Sequence, residues 1–368
     1  MIVTRFLAAI VVITLTGNAL LATAFQSSGS KTLKRIELGK ALFFDKRLSE
    51  DRTVSCATCH DPASAFASKE VLAVGVRNRK GARNAPTLLN SVLSKSYFWD
   101  GRALTLEEQA KQPLLNASEM GITDEAELIE RVSSIPQYRK DFRRVFPRNG
   151  VTLNTIANAL AAFERSLISN DAPFDRFIRG DKKAMTPIQI RGWQLFKGKA
   201  KCVDCHWTKG VVPLFTDAGF HNTGIRGNGS TFEALTQRAE QIRNQTNAAN
   251  LSNLALDPKF SDLGRFLVTR NQRDLGAFKT PTLRDIELTG PYMHDGSLKT
   301  LLDVVRFYNA GGVKNLMLDE KMTPLNLTEQ EMNEIVEFLR TLTSDDVLRL
   351  AQSSIPQTRE RVPLPVLK

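Results

Sequence analysis

The chain has 368 residues, 42% of them hydrophobic and 24% charged, and carries a formal charge of +11. That composition excludes an intrinsically disordered chain, and the length leaves room for two domains with separate cores. The positive balance suits an acidic protein partner or an anionic lipid surface, and no nucleic-acid motif accompanies it.

In chain order, Arg5 opens a short basic region, Phe6 to Leu15 is nearly all apolar, and Ala22-Thr23-Ala24 is a small-residue cleavage site. Residues 1–24 therefore read as a secretory signal. The alternative, an uncleaved anchor over Phe6 to Phe25, is interrupted by Thr14, Thr16, Gly17 and Asn18. Export places the protein in the periplasm and argues further against nucleic acid.

A domain over residues 25–180 follows. Thr105 and Glu108 form a capping box for a helix that ends near Pro113. Ile156, Leu160, Phe163 and Leu167 recur at helical spacing and give a core-facing helix from about Asn154 to Ile168. Phe174 to Lys183 is charged and aperiodic and reads as the inter-domain connection. A second domain spans 181–350. Thr186 caps a helix with Pro187 in its first turn, running to Gly198. Gly224 to Asn250 reads as a surface loop. Thr300 and Asp303 start a helix that stops at Gly311-Gly312, and Thr328 and Glu331 cap a last one bearing Ile335, Leu339 and Leu342. Residues 351–368 read as an extended tail. With no convincing alternating strand pattern, the fold reads as all-α, two c-type cytochrome-like haem domains with long loops.

All four cysteines lie in two copies of Cys-x-x-Cys-His: Cys56, Cys59, His60 and Cys202, Cys205, His206. This spacing lets both thiols add to the vinyl groups of one haem while the adjacent imidazole reaches its iron. Two disulfides or one structural zinc would also use four thiols. Neither explains a His after the second Cys both times in a chain with four His. Two covalent haems follow, one per domain.

Further stretches resemble the bacterial di-haem cytochrome c peroxidase family over nearly the whole chain. They are Leu42-Phe43-Phe44-Asp45, Arg83-Asn84-Ala85-Pro86-Thr87, Phe98-Trp99-Asp100-Gly101-Arg102-Ala103, Glu108-Gln109-Ala110, Phe278 to Arg284, and Pro291-Tyr292-Met293-His294-Asp295-Gly296. The resemblance implies that the N-terminal haem reacts with hydrogen peroxide and the C-terminal haem relays electrons. It makes Glu119 the distal acid–base group, Gln109 a distal amide and Pro113 a residue packed over the same iron. Trp99 becomes the aromatic between the haems, and Asn84, Thr289 and Pro291 become ligands of one Ca²⁺.

Two departures from the family pattern sharpen this. Where the family carries a distal His after the first motif, the pair here is Gly75-Val76, so the N-terminal haem is expected to be open. A ligand from a shifted loop, such as Met120 or a Lys, is the alternative. The sixth ligand of the C-terminal haem falls on Tyr308, as in the MauG-like branch, with Met317 or Met322 as alternatives. A hard phenolate donor favours oxidised iron. The resemblance thus implies a peroxide-dependent oxidoreductase that passes oxidising equivalents to a small redox protein (a cytochrome c or cupredoxin) or a protein substrate. The surface Trp that the namesake branch uses, two positions before the second motif, is here Ala200. A non-catalytic di-haem electron-transfer cytochrome is the alternative reading. His221 and His294 are left as hydrogen-bonded structural residues.

Overall fold

The computed structural model describes residues 31–353 except 211, 227–230 and 245–247. The expected signal segment, and the tail from residue 354 onward, lie outside the described residues. None of the described helices is long and apolar enough to cross a membrane.

The fold is all-α. The helices longer than four residues are α1 (residues 31–44), α2 (Leu106–Leu114), α3 (Glu125–Ser134), α4 (Pro136–Val145), α5 (Leu153–Arg165), α6 (Pro173–Ile178), α7 (Pro187–Lys197), α8 (Phe232–Ile242), α9 (Ala248–Leu256), α10 (Leu301–Asn309), α11 (Glu329–Arg340) and α12 (Asp345–Ser353) among the described residues. Two short strands, β1 (Phe220–His221) and β2 (Phe278–Lys279), pair antiparallel. The caps read from sequence are formed: the hydroxyls of Thr105, Thr186, Thr300 and Thr328 accept N–H bonds from Glu108, Gln189, Asp303 and Glu331. Each satisfies a backbone donor that the first helical turn leaves unpaired.

The two halves repeat one plan. Gly39 of α1 lies against the Ala159 carbonyl and Phe163 of α5, and Gly192 of α7 lies against the Glu334 carbonyl and Phe338 of α11. Each glycine lets two helix backbones approach where a Cβ would collide. Phe43 then packs on Phe163 with ring centroids 5.1 Å apart, and its counterpart Phe196 packs on Phe338, also at 5.1 Å. Asn90 and Asp285 both adopt left-handed backbone, at φ 58° and 57°. Their side chains accept the N–H groups of Ser169 and Ser344, each at 3.0 Å. The hydroxyls of those two serines meet at 2.7 Å, where the halves join.

The segments after α5 and α11 are exchanged. Phe174 of α6 is buried in the second core, whereas Val347 and Leu350 of α12 are buried in the first. The stretch Phe174 to Lys183, expected to be an aperiodic linker, therefore begins as a helix whose Pro173 start and buried Phe174 anchor the second half. The expected surface loop Gly224 to Asn250 contains α8 and the start of α9. Leu235, Ala239 and Ile242 of α8 recur at helical spacing and pack into a third core with Leu263 and Phe266. The many polar residues of that stretch hide the apolar stripe. α12 runs to Ser353, three residues into the stretch expected to be extended tail.

Candidate active site

Both Cys-x-x-Cys-His segments are single tight turns. In the first, Thr58 Oγ1 accepts the Ser55 N–H at 2.9 Å and the His60 N–H bonds the Cys56 carbonyl at 2.9 Å. In the second, Lys201 enters with φ 51° and the His206 N–H bonds the Cys202 carbonyl at 2.8 Å. All four thiols are free. Burial pushes those of Cys56 and Cys202 up to about 12 and that of Cys59 up to about 11.

The histidines are oriented alike. His60 Nδ1 lies 3.0 Å from the Phe66 carbonyl and 3.1 Å from that of Pro86, and His206 Nδ1 lies 2.7 Å from that of Phe215. A carbonyl only accepts, so Nδ1 carries the proton and Nε2 keeps its lone pair, the form needed to bind a metal. Burial lowers the pKa of both imidazoles, which keeps them neutral. Phe66 and Phe215 both sit in left-handed backbone, at φ 56° and 55°. Thr87 and Thr282 brace the preceding carbonyls of Ala65 and Leu214 at 2.6 and 2.8 Å.

One cavity of about 920 Å³ reaches both motifs, at the upper end of the roughly 300–1,000 Å³ usual for ligand pockets. Paired free thiols, a neutral imidazole beside each pair and this apolar space fit two covalently held haems. Tyr308, Gln109, Pro113, Glu119 and Trp99 all line the cavity. Of the alternative ligands, Met120 and Met322 line it and Met317 does not.

The repeat relates the residues expected over the two irons. Thr105 caps α2 six positions after Trp99, and Thr300 caps α10 six positions after His294, so Gln109 corresponds to Val304 and Pro113 to Tyr308. All four line the cavity. A phenol stands in the second half where the first half has a proline ring, which cannot ligate iron. Burial pushes the Tyr308 hydroxyl above the usual phenol range, with Cys205 and Cys202 adding to it.

Val76 is fully buried in the first core, and it is Gly75 that lines the cavity. A Cβ on Gly75 would run into the Ser118 carbonyl, and the Val76 N–H bonds the Glu119 carbonyl at 3.0 Å. The loop that would carry a distal ligand is thus pressed onto the loop that carries Glu119. Burial raises the Glu119 carboxyl, and the Arg102 guanidinium partly opposes this. Arg102 and Arg83 themselves hold the buried Asp100 at 3.0 and 2.6 Å.

Between the motifs, Trp99 Nε1 donates to the Asn84 carbonyl at 2.9 Å. His294 stacks on Phe278 with centroids 3.6 Å apart and meets Trp99 edge-on at 6.4 Å. Its Nε2 makes no hydrogen bond but lies 3.5 Å from a carboxylate oxygen of Asp262. His221 is hydrogen-bonded, to Asp319 at 2.6 Å and Asp217 at 2.9 Å. Asn84, Thr289 and Pro291 line the same cavity. The Asn84 amide nitrogen donates to the Glu70 carbonyl at 2.9 Å, which leaves Oδ1 to accept.

Sequence reasoning missed Glu164. It is buried on α5, lines the cavity near Cys56, and has one oxygen with no partner. The signal was an acid on the apolar face of a helix, between Leu160 and Leu167.

Residues 33–183 match the family described as di-haem cytochrome c peroxidase. The methylamine utilization protein MauG of Methylophilus methylotrophus is 36% identical over 321 residues, 86% of this chain and 84% of that protein. Cytochrome-c peroxidase IdrP1 of Denitromonas iodatirespirans is 36% identical over 326 residues, 86% of this chain and 83% of that protein. A solved MauG-like protein associated with microbial copper homeostasis superposes with a TM-score of 0.70 at 31% identity, covering 86% of this chain and 91% of that one.

Proposed function

This chain belongs to the di-haem cytochrome c peroxidase family of peroxide-dependent oxidoreductases, and on that premise we propose that its first haem site is open and its second is closed by Tyr308. The correspondence of Pro113 with Tyr308 carries this reading. Cys56 and Cys59 would hold one haem with His60 as iron ligand, and Cys202 and Cys205 would hold the other with His206 and Tyr308. Haem iron supplies the two-electron chemistry that converts hydrogen peroxide to two waters with two electrons and two protons.

The protein's part is proton handling, orientation and charge storage. Glu119, raised by burial, is suited to take the proton from one peroxide oxygen and return it to the other, since a general acid–base group works best near the working pH. The Gln109 amide orients peroxide beside it. Trp99, hydrogen-bonded at its ring nitrogen, offers a polarisable ring between the two halves. Tyr308 supplies a hard oxygen donor that favours the oxidised state of the second haem. Asn84 Oδ1 with the carbonyls of Thr289 and Pro291 suits one Ca²⁺, a cation that takes oxygen ligands and waters. The electrons come from a small cytochrome c or cupredoxin, or from residues of a protein substrate, in the periplasm.

Low-temperature EPR of the fully oxidised protein tests this. One high-spin and one low-spin ferric signal, both lost with one equivalent of peroxide and no prior reduction, are expected. Two low-spin signals unmoved by peroxide would sink it and leave an electron-transfer cytochrome.

A further inference from the structure

Glu164 is 5% exposed, and its Oε2 is sealed from solvent without a hydrogen-bond partner. A buried carboxylate without compensation is costly, so such a group resists ionising. Burial pushes it up to about 8.

The charged neighbours offset this only in part, since the Arg165 guanidinium lowers the carboxyl and Glu107 raises it. Arg165, next on α5, pairs with Glu107 of α2 at 2.7 Å. Tyr97 faces the carboxyl from the loop before α2 and donates its hydroxyl to the Ser91 carbonyl at 3.2 Å. Cys56, on the first attachment turn, feels both Glu164 and Glu119.

The repeat supplies an independent observation. Phe163 corresponds to Phe338, so Glu164 corresponds to Leu339, which lines the same cavity. The fold therefore accepts an apolar side chain at this position, and the carboxyl is a feature of the first half alone.

We propose that Glu164 is the proton site coupled to reduction of the first haem. An external one-electron donor reduces ferric iron to ferrous while the Glu164 carboxylate takes one proton from solvent, and reoxidation releases both. In a buried site of low dielectric, adding an electron alone is opposed, and adding a proton with it leaves the net charge unchanged. The inference rests on the haem-attachment reading above.

An EPR-monitored redox titration of the full two-haem protein, repeated across pH about 8, tests it. Above pH about 8, where Glu164 is a carboxylate beside oxidised iron, the reduction equilibrium of the first haem is expected to fall about tenfold per pH unit, or about 59 mV for a one-electron couple, and to level off below it. It is expected to be flat in Glu164→Gln and in Glu164→Leu, the second substitution copying Leu339. Glu119→Gln should keep the slope. A wild-type first haem whose potential ignores pH overturns the proposal without any variant, as does a slope that survives Glu164→Leu. Intact mass separates the two readings, because a chain carrying fewer than two haems would defeat the attachment reading, whereas two haems and a flat slope defeat only the role of Glu164.

Discussion

The two halves of this molecule share a scaffold and differ in what faces the cavity. Gly39 and Gly192, Phe66 and Phe215, and Thr87 and Thr282 perform matched tasks with near-identical geometry. At the cavity the pairs diverge: Gln109 against Val304, Pro113 against Tyr308, Glu164 against Leu339. The first half collects polar groups that can handle protons and has, at the position matching Tyr308, a proline that cannot ligate iron. The second supplies the Tyr308 phenol from α10, beside Val304 and Val305. On the function proposed above, the same backbone frames a place for chemistry and a place to store charge, and the division rests on a few side chains.

The largest expected effect comes from erasing that division. Pro113→Tyr gives the first half the phenol of the second, and removing a proline from the last turn of α2 should not harm the helix. Two low-spin ferric signals and loss of the peroxide reaction are expected. An unchanged high-spin signal with normal turnover would break the correspondence of Pro113 and Tyr308. Next in size is Glu119→Gln, which removes a proton carrier while keeping shape. Peroxide turnover should drop by about 10²–10⁴, the usual contribution of a general acid–base group, with both resting EPR signals intact.

Much of this was legible in the sequence because the signals are local. The attachment motifs follow from covalent chemistry at fixed spacing, and the capped helices follow from Thr residues placed three before an acid or Gln. The repeat was not legible. The chain between His206 and Thr282 carries the whole third core, so matched residues fall at unequal offsets. That added core also reaches across the halves, where Ser252 bonds Gln112 at 2.5 Å and Arg265 bonds the Asp100 carbonyl at 2.9 Å. The exchange of α6 and α12 was hidden for a similar reason, since which core a short helix joins depends on contacts remote in sequence.

The helix contacts give the next, smaller test. Gly39→Ala and Gly192→Ala each force a Cβ into a facing backbone carbonyl that cannot rotate away. Overpacking of this kind costs about 1–3 kcal/mol, and similar losses by denaturant titration are expected from both. A large loss from one and none from the other would show that the halves do not bear load alike.

The smallest effect is a gain, from making the second half resemble the first at the joint. Asn90 and Asp285 occupy matched left-handed positions and accept from matched serines, but Asn90 also donates to the Ser169 carbonyl at 2.8 Å, and a carboxylate cannot donate. Asp285 Oδ2 is buried without a hydrogen bond, and burial raises its carboxyl to about 6, against the bond from the Ser344 N–H, the Ser169 hydroxyl and the nearby Arg284. A folded-state pKa above the unfolded one means that ionisation opposes folding. The penalty is absent below pH about 4, grows as pH rises toward about 6, and is complete above it. Asp285→Asn removes it and restores a donor, so stability should rise by roughly 2 kcal/mol at neutral pH and hardly change in acid. Thermal unfolding at the two pH values checks the sign. A variant that gains equally at both would attribute the gain to the new hydrogen bond, and one that loses at neutral pH would mean that Arg284, 0% exposed and already paired with Asp175, needs the second carboxylate.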